Sequence, residues 1–201
     1  MNNESAKSPP AVIFRRGKRV NLSVVQRAYL PAMQQQINDP EITLGLAISF
    51  PMTLDREEEY LKKINRPEDG DIILALTLAH TDEYIGVMGL HNVSFQHGTA
   101  ATGSIIGRKD LWGKGYGTEA KMLLLDYAFN TLNLRKIGSV VYDYNLGSKR
   151  CLEKCGYKVE GIKKAQHFRC GRYIDDIMMA VFREEWLPLW QEYKKNFLDQ
   201  K

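Results

Sequence analysis

Three alternating glycines, Gly113, Gly115 and Gly117, follow an apolar run that breaks at Gly107 and precede a helix-forming run. Glycine adopts backbone conformations that other residues avoid, so such a loop lets consecutive backbone N–H groups point to one side. The helix that begins after the loop adds the partial positive charge of its N-terminus. The pattern therefore predicts a strand–loop–helix unit that binds an anion, and a phosphate-bearing ligand is the expected guest.

The spacing of these glycines excludes two common phosphate-binding loops. A nucleoside-triphosphate loop needs four residues between its glycines and a Ser or Thr after the lysine, but Lys114 is followed by Gly115. A dinucleotide fingerprint has the spacing Gly-x-Gly-x-x-Gly, and here the third glycine comes one residue early. The loop also lies in mid-chain after a predicted hairpin, not in an initial strand–turn–helix unit. Neither nucleotide pattern fits.

Size and composition indicate one ordinary globular domain. The chain has 201 residues, 44% of them hydrophobic and 26% charged, which is enough for a sizeable core. The net charge of +4 suits an anionic ligand but is too small to indicate nucleic acid. No apolar run approaches the length of a membrane span, and the first residues show no signal pattern. We therefore expect a cytoplasmic protein with no nucleic-acid or membrane partner.

Hydrophobic spacing predicts an α/β order of elements. The order is a strand at 20–25, a helix at 27–38, a second helix from Asp55, strands at 72–79, 84–93 and 99–107, a helix after the glycine loop, a strand at 136–142, a helix at 146–155 and strands at 159–168 and 173–182. Hairpins mixed with strand–helix–strand units imply a mixed sheet with helices on its faces.

The domain is expected to span residues 15–186. Residues 1–14 are predicted to be a disordered leader, and residues 187–201 an aromatic helical tail. This tail is more hydrophobic than a free tail should be, so three roles stay open: packing on the domain, lining a substrate groove, or forming a homodimer contact.

Four ordered motifs resemble the GNAT acyl-CoA N-acetyltransferases. They are the glycine loop Trp112–Gly117, Asn145–Ser148, Glu153–Tyr157 with Glu160-Gly161, and Gly171–Asp175. Their residues resemble the corresponding motifs of the branch that contains Rim-type ribosomal-protein N-terminal acetyltransferases and spermidine N-acetyltransferases. The resemblance covers about residues 18 to 186. It implies a mixed, mostly antiparallel sheet of about seven strands, splayed at the cofactor cleft, with helices on both faces.

The resemblance implies acetyl-CoA as co-substrate, with no metal. Backbone amides from Gly113 to Thr118 would bind the pyrophosphate, and the pantetheine arm would pair with the strand before the loop. Trp112 stands where the family usually has Gln or Arg. The implied cofactor-binding residues are Ile105, Ile106, Gly107, Trp112, Gly113, Lys114, Gly115, Tyr116, Gly117, Thr118 and Asn145.

The implied catalytic residues are Asn145, Ser148 and Glu160. Asn145 is expected both to cap the helix that follows and to reach the pantetheine arm. The family's tyrosine acid, seven residues after that Asn, is replaced by Leu152, so Ser148 becomes the expected acid for the departing thiolate. Glu160 is the motif-matched candidate base, although a solvated strand carboxylate explains it as well. His91, interpreted as a structural histidine, and a water-relayed deprotonation remain alternatives.

The expected reaction is direct attack of a primary amine on the bound thioester in a ternary complex. A protein N-terminus or a small amine such as a polyamine is the expected acceptor. A non-catalytic acyl-CoA-binding sensor is the alternative from a different class, because the usual tyrosine is absent. Cys151 and Cys155 have the spacing of a metal pair on a helix, but no further ligand lies at a suitable distance along the chain.

Overall fold

A mixed eight-stranded sheet forms the centre of the molecule. The structure, a computed structural model, describes residues 10–64, 66 and 70–198. Its strands are Ile13–Arg15 (β1), Val20–Ser23 (β2), Ile72–Leu78 (β3), Tyr84–Ser94 (β4), Thr99–Ile106 (β5), Lys136–Tyr142 (β6), Lys158–Arg169 (β7) and Arg172–Phe182 (β8). Within the described residues they are ordered β1-β2-β3-β4-β5-β6-β8-β7, and every neighbouring pair is antiparallel except β5 and β6.

Helices cover both faces of this sheet. They are Leu30–Ile37 (α1), Pro40–Thr43 (α2), Leu54–Lys63 (α3), Tyr116–Asp126 (α4), Leu146–Lys154 (α5) and Arg183–Tyr193 (α6). Ile73 and Ala75 of β3 pack with residues of α1 and α3. Leu74 and Leu76 belong to the larger core with residues of α4, α5 and α6. Because successive strand residues point to opposite faces, the two helix groups lie on opposite sides of the sheet.

The predicted fold is confirmed, with eight strands rather than about seven. The extra strand is β1, whose Ile13 and Phe14 fall inside the expected leader of residues 1–14. That leader is therefore wrong at its end, because these residues extend the edge of the sheet beside β2; residues 1–9 lie outside the described part. None of the helices in the described part is long and apolar enough to cross a membrane.

The parallel strands β5 and β6 separate after a short paired stretch. Both are described in full, and they pair over Thr99–Ala101 against Lys136–Gly138. Beyond that stretch β5 continues along β4 and β6 continues along β8. Where they diverge, Ser139 Oγ donates to the Thr102 carbonyl at 3.0 Å. We call the opening between residues 102–106 and 139–142 the fork; it confirms the predicted splay of the sheet.

The aromatic tail is part of the core. Helix α6 begins at Arg183, so the boundary expected after residue 186 falls inside a helix. Trp186 is fully buried, its ring lies 5.2 Å from that of Phe129, and it stacks on Trp190 at 5.3 Å. Of the three roles left open for the tail, packing on the domain is the one that these contacts support.

Candidate active site

The glycine loop turns from β5 into α4 through two left-handed residues. Gly113 has φ 73° and Gly115 has φ 87°. A Cβ at Gly113 would meet no atom within 4 Å, so the backbone there faces open space. Among the described residues, the N–H groups of Gly113 and of residues 115–118 donate to no protein acceptor, whereas Lys114 N–H donates to Leu111 O at 3.4 Å and Glu119 N–H donates to Gly115 O at 3.0 Å. These free amides at a helix N-terminus suit an anion.

Arg19 and Glu119 hold the loop in this shape. The buried Glu119 carboxylate accepts from the backbone N–H groups of Lys18 at 2.7 Å and Arg19 at 2.8 Å, and from Arg19 Nε at 2.8 Å. The Arg19 guanidinium also donates to Lys114 O at 2.9 Å. The sequence analysis did not identify Arg19, because it lies 95 residues before Lys114 in the chain.

Trp112 fastens the loop to the end of β5. Its indole N–H donates to the Ile106 carbonyl at 2.7 Å, and Gly107 N–H donates to Ile85 O at 2.8 Å. The Ile106 carbonyl and the Gly107 N–H, both in the segment predicted to pair with the donor arm, thus have protein partners. Gly107 N–H is paired because the β4–β5 pairing reaches Ile106 and this bond extends it by one residue.

Helix α5 begins beside the fork. Asn145 caps it, because its Oδ1 accepts from Ser148 N–H at 3.1 Å. No hydrogen bond of the Ser148 hydroxyl to another described residue is found. Leu152, at the position of the family's tyrosine, is 2% exposed and packs in the core, so it presents no polar group. Cys151 lies 3.7 Å from Thr118 Oγ1, which brings α5 against the start of α4.

Glu160 is not brought to the fork. It lies on β7, which β8 separates from β6. Its carboxylate forms an ion pair with Lys136 at 2.6 Å, and Lys136 is the first residue of β6, at the end where β5 and β6 are paired. A motif fixes the position of Glu160 along β7 but not which side of the sheet edge its side chain reaches, and the predicted role as base is not supported by this location.

A cavity of about 470 Å³ lies on the opposite face of the sheet from α4. It is mostly apolar, and its lining includes Met33, Gln36, Ile48, Glu57, His91 and Gly103. Glu57 is 4% exposed, and burial raises the pKa of its carboxyl. Such a cavity, with a few polar groups, is the usual form of a small-molecule site.

His91 and Asp71 form a pair at this cavity. His91 Nδ1 lies 3.0 Å from Asp71 Oδ2, and Asp71 Oδ1 accepts from Asn92 N–H at 3.0 Å, which fixes the carboxylate. A Cβ at Gly103 would lie 3.1 Å from His91 Nε2, so the imidazole covers the part of β5 that borders the fork. The sequence analysis treated His91 as a lone structural histidine. Extending the antiparallel register of Ile72 with Leu90 by one residue would have placed Asp71 opposite it.

The loop after α2 connects the cavity to the start of α5. Arg169 donates to the carbonyls of Leu46 at 2.8 Å and Ile48 at 2.9 Å. The Tyr144 hydroxyl donates to the Leu44 carbonyl. A Cβ at Gly45 would lie 2.9 Å from Asn145 Nδ2, so the loop packs directly on the cap of α5. The loop that lines the cavity therefore contacts the start of α5, next to the fork.

The family model for the acetyltransferase (GNAT) domain matches residues 19–158. The chain belongs to the GNAT acetyltransferase family. The uncharacterized N-acetyltransferase p20 of Bacillus licheniformis is 28% identical over 171 residues, which cover 84% of this chain and 96% of that protein. The spermidine N(1)-acetyltransferase of Escherichia coli (strain K12) is 32% identical over 105 residues, which cover 52% of this chain and 56% of that enzyme.

A solved structure agrees with this GNAT assignment. The spermidine N-acetyltransferase from Vibrio cholerae, in complex with CoA and spermine, superposes with a TM-score of 0.77 at 25% identity. The match covers 84% of this chain and 98% of that one. The predicted family and fold are thus confirmed, and the chain is an N-acetyltransferase.

Proposed function

We propose that this GNAT protein transfers the acetyl group of acetyl-CoA to a primary amine, which attacks the thioester directly in a ternary complex. The proposal rests on the fork, because the residues of β5 that border it alternate between the two faces of the sheet. Ile106 points to the glycine loop, since its Cδ1 lies 3.1 Å from the place of a Cβ at Gly117. Gly103 and Ile105 line the cavity instead. A thioester held between the strands is therefore within reach of an amine in the cavity.

The glycine loop is the proposed pyrophosphate site. Free N–H groups of Gly113 and of residues 115–118 suit two adjacent phosphates, and a charge at a helix N-terminus gains about 1 kcal/mol or more when partly shielded. The Arg19–Glu119 contacts hold the loop before the donor arrives, which lowers the entropy cost of binding. The relative from Vibrio cholerae, described with CoA, supports the choice of donor.

His91 is the proposed general base in place of Glu160. It takes a proton from the substrate ammonium, and the neutral nitrogen then attacks the thioester carbonyl. Asp71 holds the imidazole by Nδ1 and leaves Nε2 toward Gly103. As the C–S bond breaks, the CoA thiolate takes a proton from Ser148, its proposed donor in the first turn of α5, and the serine recovers a proton from the nitrogen that has gained the acetyl group. Asn145 caps α5 and contacts the donor arm.

The acceptor is a protein N-terminus or a small amine. Relatives named for spermidine favour the small amine. One experiment tests donor and reaction together: thermal stabilisation by acetyl-CoA, CoA, ATP and NAD, followed by thiol release with a panel of amines and N-terminal peptides. We expect stabilisation by acetyl-CoA and CoA and thiol release with at least one amine.

Two other outcomes have defined meanings. Stabilisation by ATP without any by CoA would exclude the proposed donor. Tight CoA binding without thiol release on any acceptor would favour the acyl-CoA sensor.

A Ser148→Ala variant tests the proposed proton donor. Undiminished turnover of this variant would remove Ser148 from the mechanism, whereas loss of kcat at constant KM for acetyl-CoA supports its role.

A further inference from the structure

The cavity contains a buried carboxylate without a partner. Glu57 lies in the first half of α3, 4% exposed, and its side chain lines the cavity. Among the described residues it forms no ion pair and no side-chain hydrogen bond. Burying an unpaired carboxylate is unfavourable, and in folded proteins such groups are usually matched by a cation or a donor. The neighbours that face it, Tyr60 of α3 and Tyr84 of β4, carry no positive charge.

A second unpaired acceptor lies in the same cavity. The Oε1 atom of Gln36 is buried and has no hydrogen-bond partner in the described part of the chain. Gln36 packs on Gly107, since a Cβ there would lie 1.8 Å from its Cδ. An amide can also present donors when it turns, so Glu57 is the group that fixes the ligand class. The described lining of the cavity therefore has acceptors and contains no Lys or Arg.

The position of Glu57 separates it from the fork. Helix α3 packs on the side of β3, because Tyr60 and Leu61 pack against the buried cluster that contains Ile73 and Ala75. Strand β5, which borders the fork, is two strands away from β3. Neighbouring strands are about 4.8 Å apart, so the distance across the sheet is roughly 10 Å. A nitrogen that meets Glu57 is thus not the nitrogen that meets the thioester.

We propose that Glu57 is a specificity-determining residue that binds a second, protonated nitrogen of the acceptor. The inference rests on the proposed function. Its acceptor class is a diamine with an apolar chain between the reacting amine and the ammonium. The chain fits the apolar lining, and one carboxylate matches one retained charge. A triamine such as spermidine would bring a further cation for which the described lining has no second carboxylate.

The test compares three amines of one length: 1,5-diaminopentane, n-pentylamine and 5-amino-1-pentanol. In the wild-type protein, kcat/KM for the diamine should exceed that for the other two by about tenfold or more, because only the diamine meets Glu57 with a charge-assisted hydrogen bond. Glu57→Gln should abolish this preference through a raised KM for the diamine and leave n-pentylamine within about twofold. Glu59→Gln, an exposed position on the same helix, should change neither.

Several results would overturn this inference while leaving the proposed function intact. They are equal kcat/KM for the three amines, an equal loss for all three in Glu57→Gln, a preference for spermidine over the diamine, or acetylation of N-terminal peptides alone. If Glu57→Gln does not fold, the three-amine comparison on the wild-type protein still decides. Failure of the proposed function looks different: no stabilisation by acetyl-CoA and no thiol release with any amine or peptide.

Discussion

The buried carboxylate of Glu57 should make the stability of the free protein depend on pH. Burial raises its pKa above the ordinary value of 4.5. Below that value both folded and unfolded chains are protonated, so no effect arises. As pH rises, the unfolded chain loses its proton first, and stability is lost until pH passes the raised pKa. Tyr60 and Tyr84 stay neutral here, because burial raises their pKa.

Glu57→Gln should therefore stabilise the ligand-free protein, by about 1 kcal/mol or more at pH 8 and by little at pH 4. Thermal unfolding from pH 4 to 8 measures this difference. The His91–Asp71 pair is present in both proteins and cancels in the comparison. Glu59→Gln should follow the wild-type curve. A parallel pH profile for wild type and Glu57→Gln would contradict the buried, unpaired state of Glu57.

His91 should affect the rate much more than the fold. A general base contributes about 10²- to 10⁴-fold, so His91→Gln should lower kcat/KM for the amine by that order while acetyl-CoA still stabilises the protein. Asp71→Asn should lower it less, because the imidazole keeps a partner on Nδ1. His97→Gln, at the exposed β4–β5 turn, is the control. Full activity of His91→Gln would exclude His91 as the base and favour a water-relayed deprotonation.

At the scale of elements, one glycine of the glycine loop and one of the β7–β8 turn offer a matched pair of substitutions. Gly113 and Gly171 have φ of 73° and 77°, and a Cβ at either would meet nothing within 4 Å. Alanine at each should cost about 1 kcal/mol of stability, because both positions are left-handed. Only Gly113 lies in the proposed pyrophosphate site, so only Gly113→Ala should also weaken acetyl-CoA binding, by about tenfold. Titration calorimetry measures both affinities; equal affinities would exclude this loop as the site.

The donor half of the site could be predicted because it is local in sequence. The loop Gly113–Gly117 is contiguous, and the cap of α5 links Asn145 to Ser148 three residues later. The acceptor half depends on distant residues: Asp71 meets His91 through strand register, and Arg169 reaches Leu46 from β7. Motif matching could not supply these contacts, and its candidate base, Glu160, lies on β7, away from the fork.

The inward orientation of Glu57 could be predicted only in part from the sequence. Residues 57–59 are three glutamates in a row, which normally form a solvated helix face. Helical spacing nevertheless places Glu57 on the same face as Tyr60, Leu61 and Ile64, the side that packs on the sheet. Periodicity therefore indicates which glutamate turns inward. That it would meet no cation there depends on the tertiary structure.

At the scale of the whole molecule, the two faces of the sheet carry different parts of the proposed site. The face of α4 and α5 carries the proposed donor site, and the face of α1 and α3 carries the cavity. The fork is the proposed place where the amine and the thioester meet. The continuous eight-stranded sheet supports both faces, so we expect substitutions in one proposed site to leave the other unchanged. The substitutions at Gly113 and Glu57 test that separation.

The last helix should act as part of the core and not as an appendage. Trp186 is fully buried against Phe129 and stacks on Trp190. Trp186→Ala should cost about 3–5 kcal/mol, because a large cavity replaces the ring. For a chain of this size that lowers Tm by roughly 6–20 °C in thermal unfolding. Phe197→Ala, at a half-exposed position of the same tail, should cost much less. An unchanged Tm of the Trp186→Ala variant would contradict the assignment of α6 to the core and favour a domain boundary at residue 186.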